Sequence, residues 1–192
     1  MRLRELEARM KAQAEADGDV YVPFPRPLGP VDAVLVGMEP SWSWAGTRER
    51  AEERLAAGFL NFIEGDLHMW VLRHCARKAF GNAYHLTDFS KGAMPVARAN
   101  AEREARYARW ASLLREERNL LARPGALIVA IGKDVRGALL RHGFAPPSVT
   151  VLHYSPLASR YRAAAVVGRE SEFETFSLSL DDVVATVEVT LR

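Results

Sequence analysis

Two short segments, Gly37-Met38-Glu39-Pro40-Ser41 and His153-Tyr154-Ser155-Pro156-Leu157, each follow an apolar run and set a carboxylate and an imidazole where chemistry can be done. A carboxylate stabilises positive charge that develops in a transition state, or aligns an attacking water. An imidazole donates a hydrogen bond to a leaving group as that group gains negative charge. If both apolar runs are strands of one parallel sheet, Glu39 and His153 leave it at the same edge and converge on one crevice.

The elements that must position this pair can be read along the chain. Residues 2 to 16 contain helix formers with mixed charges, and Gly18 ends the pattern, which predicts an exposed N-terminal helix. Prolines at 23, 25 and 27 keep the next segment extended. Val31 to Met38 reads as a buried first strand. Helices are expected over Arg48 to Ala57 and over Asp66 to Phe80, where Leu67, Trp70, Val71, His74 and Cys75 fall at helical spacing. Tyr84 to Phe89 is the second strand. A long helix is expected from Ala97 to Leu121, ended by Pro124-Gly125, and Ala126 to Gly132 is the third strand. A short helix from Asp134 to His142 closes on Gly143, and Ser148 to His153 is the fourth strand. Beyond Ser179, an apolar stripe suits a final helix.

This alternation predicts an α/β fold, a three-layer α/β/α sandwich around a mainly parallel four-stranded sheet. Residues 1–192 are expected to form a single domain: an N-terminal helix and Pro-rich segment to 30, a motif-bearing core over 31–168, and a C-terminal segment. With 48% apolar and 26% charged residues, the chain can bury a full core. The net charge of +2 and pI near 8.8 neither demand nor exclude a polyanionic partner. Basic residues do cluster, with Arg160 and Arg162 beside the second motif and Arg136 and Arg141 on the preceding helix. The single cysteine, Cys75, cannot build a disulfide framework or a Cys-ligated zinc or iron-sulfur site within one chain. No stretch is long and apolar enough to span a bilayer, and the charged start does not read as a signal peptide, so a cytoplasmic protein is expected.

The motifs resemble those of the uracil-DNA glycosylase superfamily. Gly37-Met38-Glu39-Pro40-Ser41 is similar to its first motif, a Gly-x-(Asp/Asn/other)-Pro turn, and His153-Tyr154-Ser155-Pro156-Leu157-Ala158 to its second, His-Pro-Ser-Pro-Leu-Ser. Tyr84 to Lys91 resembles the family strand that ends in a base-reading Asn followed by Lys. The three occur in family order and span the chain from the first strand to about Gly168.

The resemblance implies a metal-free, cofactor-free DNA glycosylase that extrudes a damaged base from DNA and hydrolyses its N-glycosidic bond. Glu39 and His153 are then the catalytic pair: Glu39 stabilises the sugar cation or aligns water, and His153 stabilises the departing base. Gly37, Met38, Phe62 and Asp88 are expected to bind the base, with Phe62 stacking on it and Phe59 as neighbour. Trp42 and Trp44 fall where the family shapes its base pocket. Ser41, Lys91, Ser155, Leu157 and Arg160 are expected to contact DNA, with Leu157 as the wedge that fills the gap in the stack.

Two positions depart from the family. Glu39 has one methylene more than Asp, and a displacement of about 1 Å in a catalytic group matters roughly 100-fold. Asp88 replaces Asn, and an ionised Asp only accepts hydrogen bonds, so it argues against strict uracil specificity and leaves a deaminated purine, an amine-bearing base or a modified base open. The same residues have plainer roles. Glu39 suits a helix N-terminus, His153 a strand end satisfied by backbone, and Asp88 a pairing with Lys91 or a helix cap. Phe59, Phe62 and Leu157 suit a core, and Lys91 a solvated surface. A glycosylase-fold protein that binds nucleic acid or a nucleobase ligand without cleaving it, and a small-molecule hydrolase on the same scaffold, therefore stand beside the enzyme.

Overall fold

The computed structural model describes residues 2–42, 45–63 and 67–151. Among them run α1 (Arg2–Ala16), β1 (Val20–Tyr21), β2 (Val31–Gly37), α2 (Arg48–Ala56), α3 (Leu67–Phe80), β3 (Tyr84–Asp88), β4 (Gly92–Ala93), α4 (Val96–Leu121), β5 (Ala122–Ile131), α5 (Lys133–Arg141) and β6 (Val149–Val151). The fourth strand is described only to Val151, and the helix expected beyond Ser179 lies outside the described residues.

The apolar runs β2, β3, β5 and β6 form a four-stranded sheet in the order β3-β2-β5-β6, all parallel. Side chains alternate across a strand, and both faces here are covered. On one face Val34, Val36, Ile128 and Ala130 meet Trp110 and Leu114 of α4 and Val135 and Leu139 of α5. On the other, Ala33, Leu35, Leu86, Val129 and Ile131 meet Leu72, Cys75 and Ala76 of α3. Helices on both faces of a parallel sheet agree with the expected α/β sandwich. Burial pushes the Cys75 thiol up to about 11, as suits a core residue rather than a reactive one.

Three features differ from expectation. Helix α1 is not simply exposed: Leu6, Met10 and Ala14, at intervals of four, are 0%, 2% and 0% exposed and join the core beside α4. Burying Leu6 and Met10 contributes about 1.5–3 kcal/mol each, enough to dock a helix whose remaining positions are mostly charged. Second, α4 passes directly into β5 at Ala122, and Pro124-Gly125 do not separate the two. They sit in an irregularity of β5, where the pairing shifts between Val31↔Ala122 and Ala33↔Leu127, and Gly125 takes a φ of 80°. Third, β1 and β4 form a small antiparallel pair (Val20↔Ala93) that dipeptide strands leave no periodicity to predict.

The turn between α1 and β1 is fixed by α4. Asp17 accepts from Trp110 Nε1 at 2.8 Å and from Arg109 Nε at 2.8 Å, and Asp19 pairs with Arg98 and the fully buried Arg106. A Cβ at Gly92 would lie 2.4 Å from Asp19 Oδ2, so only glycine lets β4 pass that carboxylate.

Candidate functional site at the carboxyl edge of the sheet

Strands β2 and β3 are adjacent and in register, with Gly37 opposite Asp88 at their carboxyl ends. The exit loops stay zipped: Phe89 N donates to Gly37 O and Met38 O, each at 3.0 Å, and Ser90 N donates to Met38 O. Parallel pairing thus brings the first motif and the Asp88 strand to one place. Val151 of β6 ends at the same edge, its carbonyl accepting from Gly132 N at 2.7 Å. His153, Ser155, Leu157 and Arg160, like Trp44, lie outside the described residues.

Gly37 permits the approach of Asp88. A Cβ on Gly37 would stand 2.1 Å from Asp88 Oδ1, so the carboxyl lies directly over a bare Cα. Asp88 is 5% exposed, and its Oδ2 accepts from Asn61 Nδ2 at 2.9 Å. Burial pushes its carboxyl up to about 8. Lys91 and the Asn61 hydrogen bond pull it down, whereas Glu39 and Glu117 push it further up. Burial thus favours the neutral acid at Asp88, a form that donates as well as accepts. An ionised Asp88 would disfavour uracil, and burial opposes that ionisation.

Glu39 is held from α4. Arg103 Nη2 donates to Oε1 at 2.6 Å, Arg103 Nε lies 3.1 and 3.2 Å from the two oxygens, and Tyr107 O–H donates to Oε2 at 2.5 Å. Such a two-pronged guanidinium contact fixes a carboxylate in direction as well as position. Burial, reinforced by Glu39, raises the Tyr107 hydroxyl well above its ordinary range, so it remains a donor. Tyr107 also stacks on Phe89 with ring centroids 4.1 Å apart. Met38 is half-buried against the α4 and α5 side of the core.

Lys91 does not reach outward as a phosphate-binding residue would. It is 1% exposed, and its Nζ donates to the backbone oxygen of Asp88 and to Glu117 Oε2, each at 2.6 Å. Glu117 also takes His85 Nε2 at 3.1 Å and the Thr87 hydroxyl. Nor does Lys91 pair with the Asp88 carboxyl; its hydrogen bond is to that residue's main chain. Despite its burial, Glu117 is held down at about 2 by Lys91 and His85.

Phe62 is not an open stacking platform. It is 1% exposed, packs with Leu35, Leu72 and Leu86, and meets Phe24 at 5.7 Å. Its φ of 61° is in the left-handed region, a conformation costly for a bulky residue and characteristic of functional sites. Asn61 braces it: Oδ1 accepts from Phe62 N at 3.1 Å while Nδ2 holds Asp88. Phe59 and Trp42 pack together with Val22, and Trp42 Nε1 donates to Ala93 O. Ser41, half-buried, bridges to Met94.

Sequence reasoning missed Asn61, Arg103, Tyr107, Glu117 and His85. Glu117 carried a signal, since it continues the spacing of Tyr107, Trp110 and Leu114 and so lies on an apolar stripe. An acid there needs a buried cation. Arg103 and Tyr107 are one turn apart, but nothing local says that their shared partner is Glu39. No protein-family model matches the chain, and no curated protein sequence matches it.

Proposed function

We propose that this chain has a uracil-DNA glycosylase-like fold and hydrolyses the N-glycosidic bond of a damaged base extruded from DNA. The observation that carries the reading is the pairing of Gly37, two residues before Glu39, with Asp88 at the ends of adjacent strands, where the bare Gly37 Cα admits the Asp88 carboxyl. Asp88 reads the edge of the base. Glu39, aimed by Arg103 and Tyr107, faces the sugar cation or its attacking water. His153 stabilises the leaving base and Leu157 fills the gap in the stack, roles that rest on the order of the sequence motifs.

The test is incubation of excess protein with oligonucleotides that each carry one damaged base, followed by alkali cleavage. Cleavage at one or more bases, lowered at least 100-fold by Glu39→Gln, is expected; intact strands throughout would rule out hydrolysis. A second reading, base or nucleic-acid binding without turnover, is favoured by the charge balance at Glu39. Its carboxylate is already neutralised by Arg103 and engaged by Tyr107. Salt-dependent binding that survives Glu39→Gln, with no product, is its signature.

A further inference from the structure

We propose that Arg103 is a phosphate-released latch on Glu39: a phosphodiester of bound nucleic acid takes the guanidinium, and the Glu39 carboxylate is thereby freed for the sugar. The proposal rests on the carboxyl edge being a nucleic-acid site, and it concerns how Glu39 becomes available there.

The carboxylate is occupied on both oxygens. Arg103 Nη2 donates to Oε1 at 2.6 Å, Arg103 Nε lies 3.1 and 3.2 Å from Oε1 and Oε2, and the Tyr107 hydroxyl reaches Oε2 at 2.5 Å. A carboxylate offers about four acceptor positions in all, so a water to be aligned by Glu39 must displace one of these donors. The charge is cancelled too, and a carboxylate paired with a guanidinium adds little to the stabilisation of a sugar cation.

The two donors differ in what can remove them. Tyr107 is 1% exposed and stacked on Phe89, so its hydroxyl is held in place. The Arg103 side chain is 26% exposed and that of Glu39 only 6%, so the guanidinium is the member of the pair that faces solvent. Beyond Glu39, its partner among the described residues is the Asn100 side-chain oxygen, 3.1 Å from Nη2. A planar guanidinium receives a phosphate through the same two parallel hydrogen bonds that it gives a carboxylate. A phosphate carried in by nucleic acid therefore offers Arg103 an equivalent partner, and the exchange leaves no cation stranded. A neutral solute offers none. Glu39, still held by Tyr107, keeps its direction and regains its charge beside the sugar. The neutralised Glu39 seen here is then compatible with hydrolysis once nucleic acid is bound.

The experiment measures binding of an undamaged single-stranded oligothymidylate to the full chain over a salt series, in wild type, Glu39→Gln, Arg103→Gln and the double variant, each first checked for cooperative thermal unfolding. Glu39→Gln, which gives up the ion pair, is expected to bind roughly fivefold tighter than wild type, the upper end for a part-exposed pair. Arg103→Gln is expected to bind more weakly and to flatten the salt dependence by about one phosphate contact. In the Arg103→Gln background, Glu39→Gln should change nothing, because there is no guanidinium left to release. Arg103→Lys, which keeps the charge without the fork, should retain the wild-type salt dependence. Equal tightening by Glu39→Gln in both backgrounds, which loss of a negative charge alone would give, overturns the latch. So does an unchanged affinity in Glu39→Gln or an unchanged salt dependence in Arg103→Gln, and each of these leaves the nucleic-acid site standing. Failure of every form to bind at low salt overturns both.

Discussion

Asp88 and Glu117 are acids of nearly equal burial, 5% and 6% exposed, brought together by the same strand β3, yet their titrations are pushed in opposite directions. Thr87 and Asp88 are consecutive, so they point to opposite faces of β3. On the Thr87 face, Glu117 finds Lys91, His85 and the Thr87 hydroxyl, and its carboxyl is kept near 2. On the other face, Asp88 finds the Asn61 amide and, among the described residues, no cation bonded to its carboxyl, and burial raises that carboxyl to about 8 against the pull of Lys91. Burial alone therefore does not decide charge. The Lys91 ammonium lowers both acids but is bonded only to the Glu117 carboxylate, which His85 also holds.

The strongest way to break this contrast is Lys91→Met. It leaves Glu117 a buried carboxylate without its closest cation, and a loss of about 3–5 kcal/mol in denaturant-induced unfolding is expected. The pH dependence should change with it. Because the folded-state value of Glu117 is depressed below its ordinary 4.5, its contribution is present above about pH 4.5 and is lost as the pH falls toward 2. Lys91→Met should abolish most of that acid limb. Asp88 has the opposite sign: its contribution is complete below 3.8 and is lost as the pH rises through about 8.

A second test presses on geometry instead of charge. Gly37→Ala sets a methyl 2.1 Å from Asp88 Oδ1, so the acid must move, and a loss of about 1–3 kcal/mol is expected by thermal or chemical unfolding. Gly37→Ala combined with Asp88→Ala should cost less than the sum of the two single changes, as a double-mutant cycle reads directly. The smallest effect is expected at the third acid. Glu39 keeps Arg103 when Tyr107→Phe removes one hydrogen bond, so a loss of about 1 kcal/mol is expected in the same assay.

The sheet was legible because its strands are unbroken apolar runs. Val31 to Gly37 and Ala126 to Ile131 read as buried strands in one dimension, and their parallel order follows from the helices between them. Strand ends were enough to bring Gly37 and Asp88 to one edge. What surrounds them was not legible, because the partners come from far along the chain: Arg103 is 64 residues from Glu39, and Glu117 is 26 from Lys91. The mixed charges of α1 concealed a seam of only Leu6, Met10 and Ala14. The left-handed turn at Phe62 has no signature at all, since a bulky residue is the last that composition would place there.

Helix α4 carries both Glu117, the acid that His85, Thr87 and Lys91 hold, and the Arg103 and Tyr107 that hold Glu39, and this gives its length a meaning. At about 1.5 Å per residue, Tyr107 and Glu117 are separated by roughly 15 Å along the axis, so the helix works as a gauge block between two polar sites. Its far end has no slack, because Leu121 is followed at once by Ala122 of β5. One residue added or removed between Tyr107 and Glu117 would turn one site by about 100° relative to the other. A change of length between Tyr107 and Glu117 therefore disturbs two polar sites at once, as a change of residue type does not.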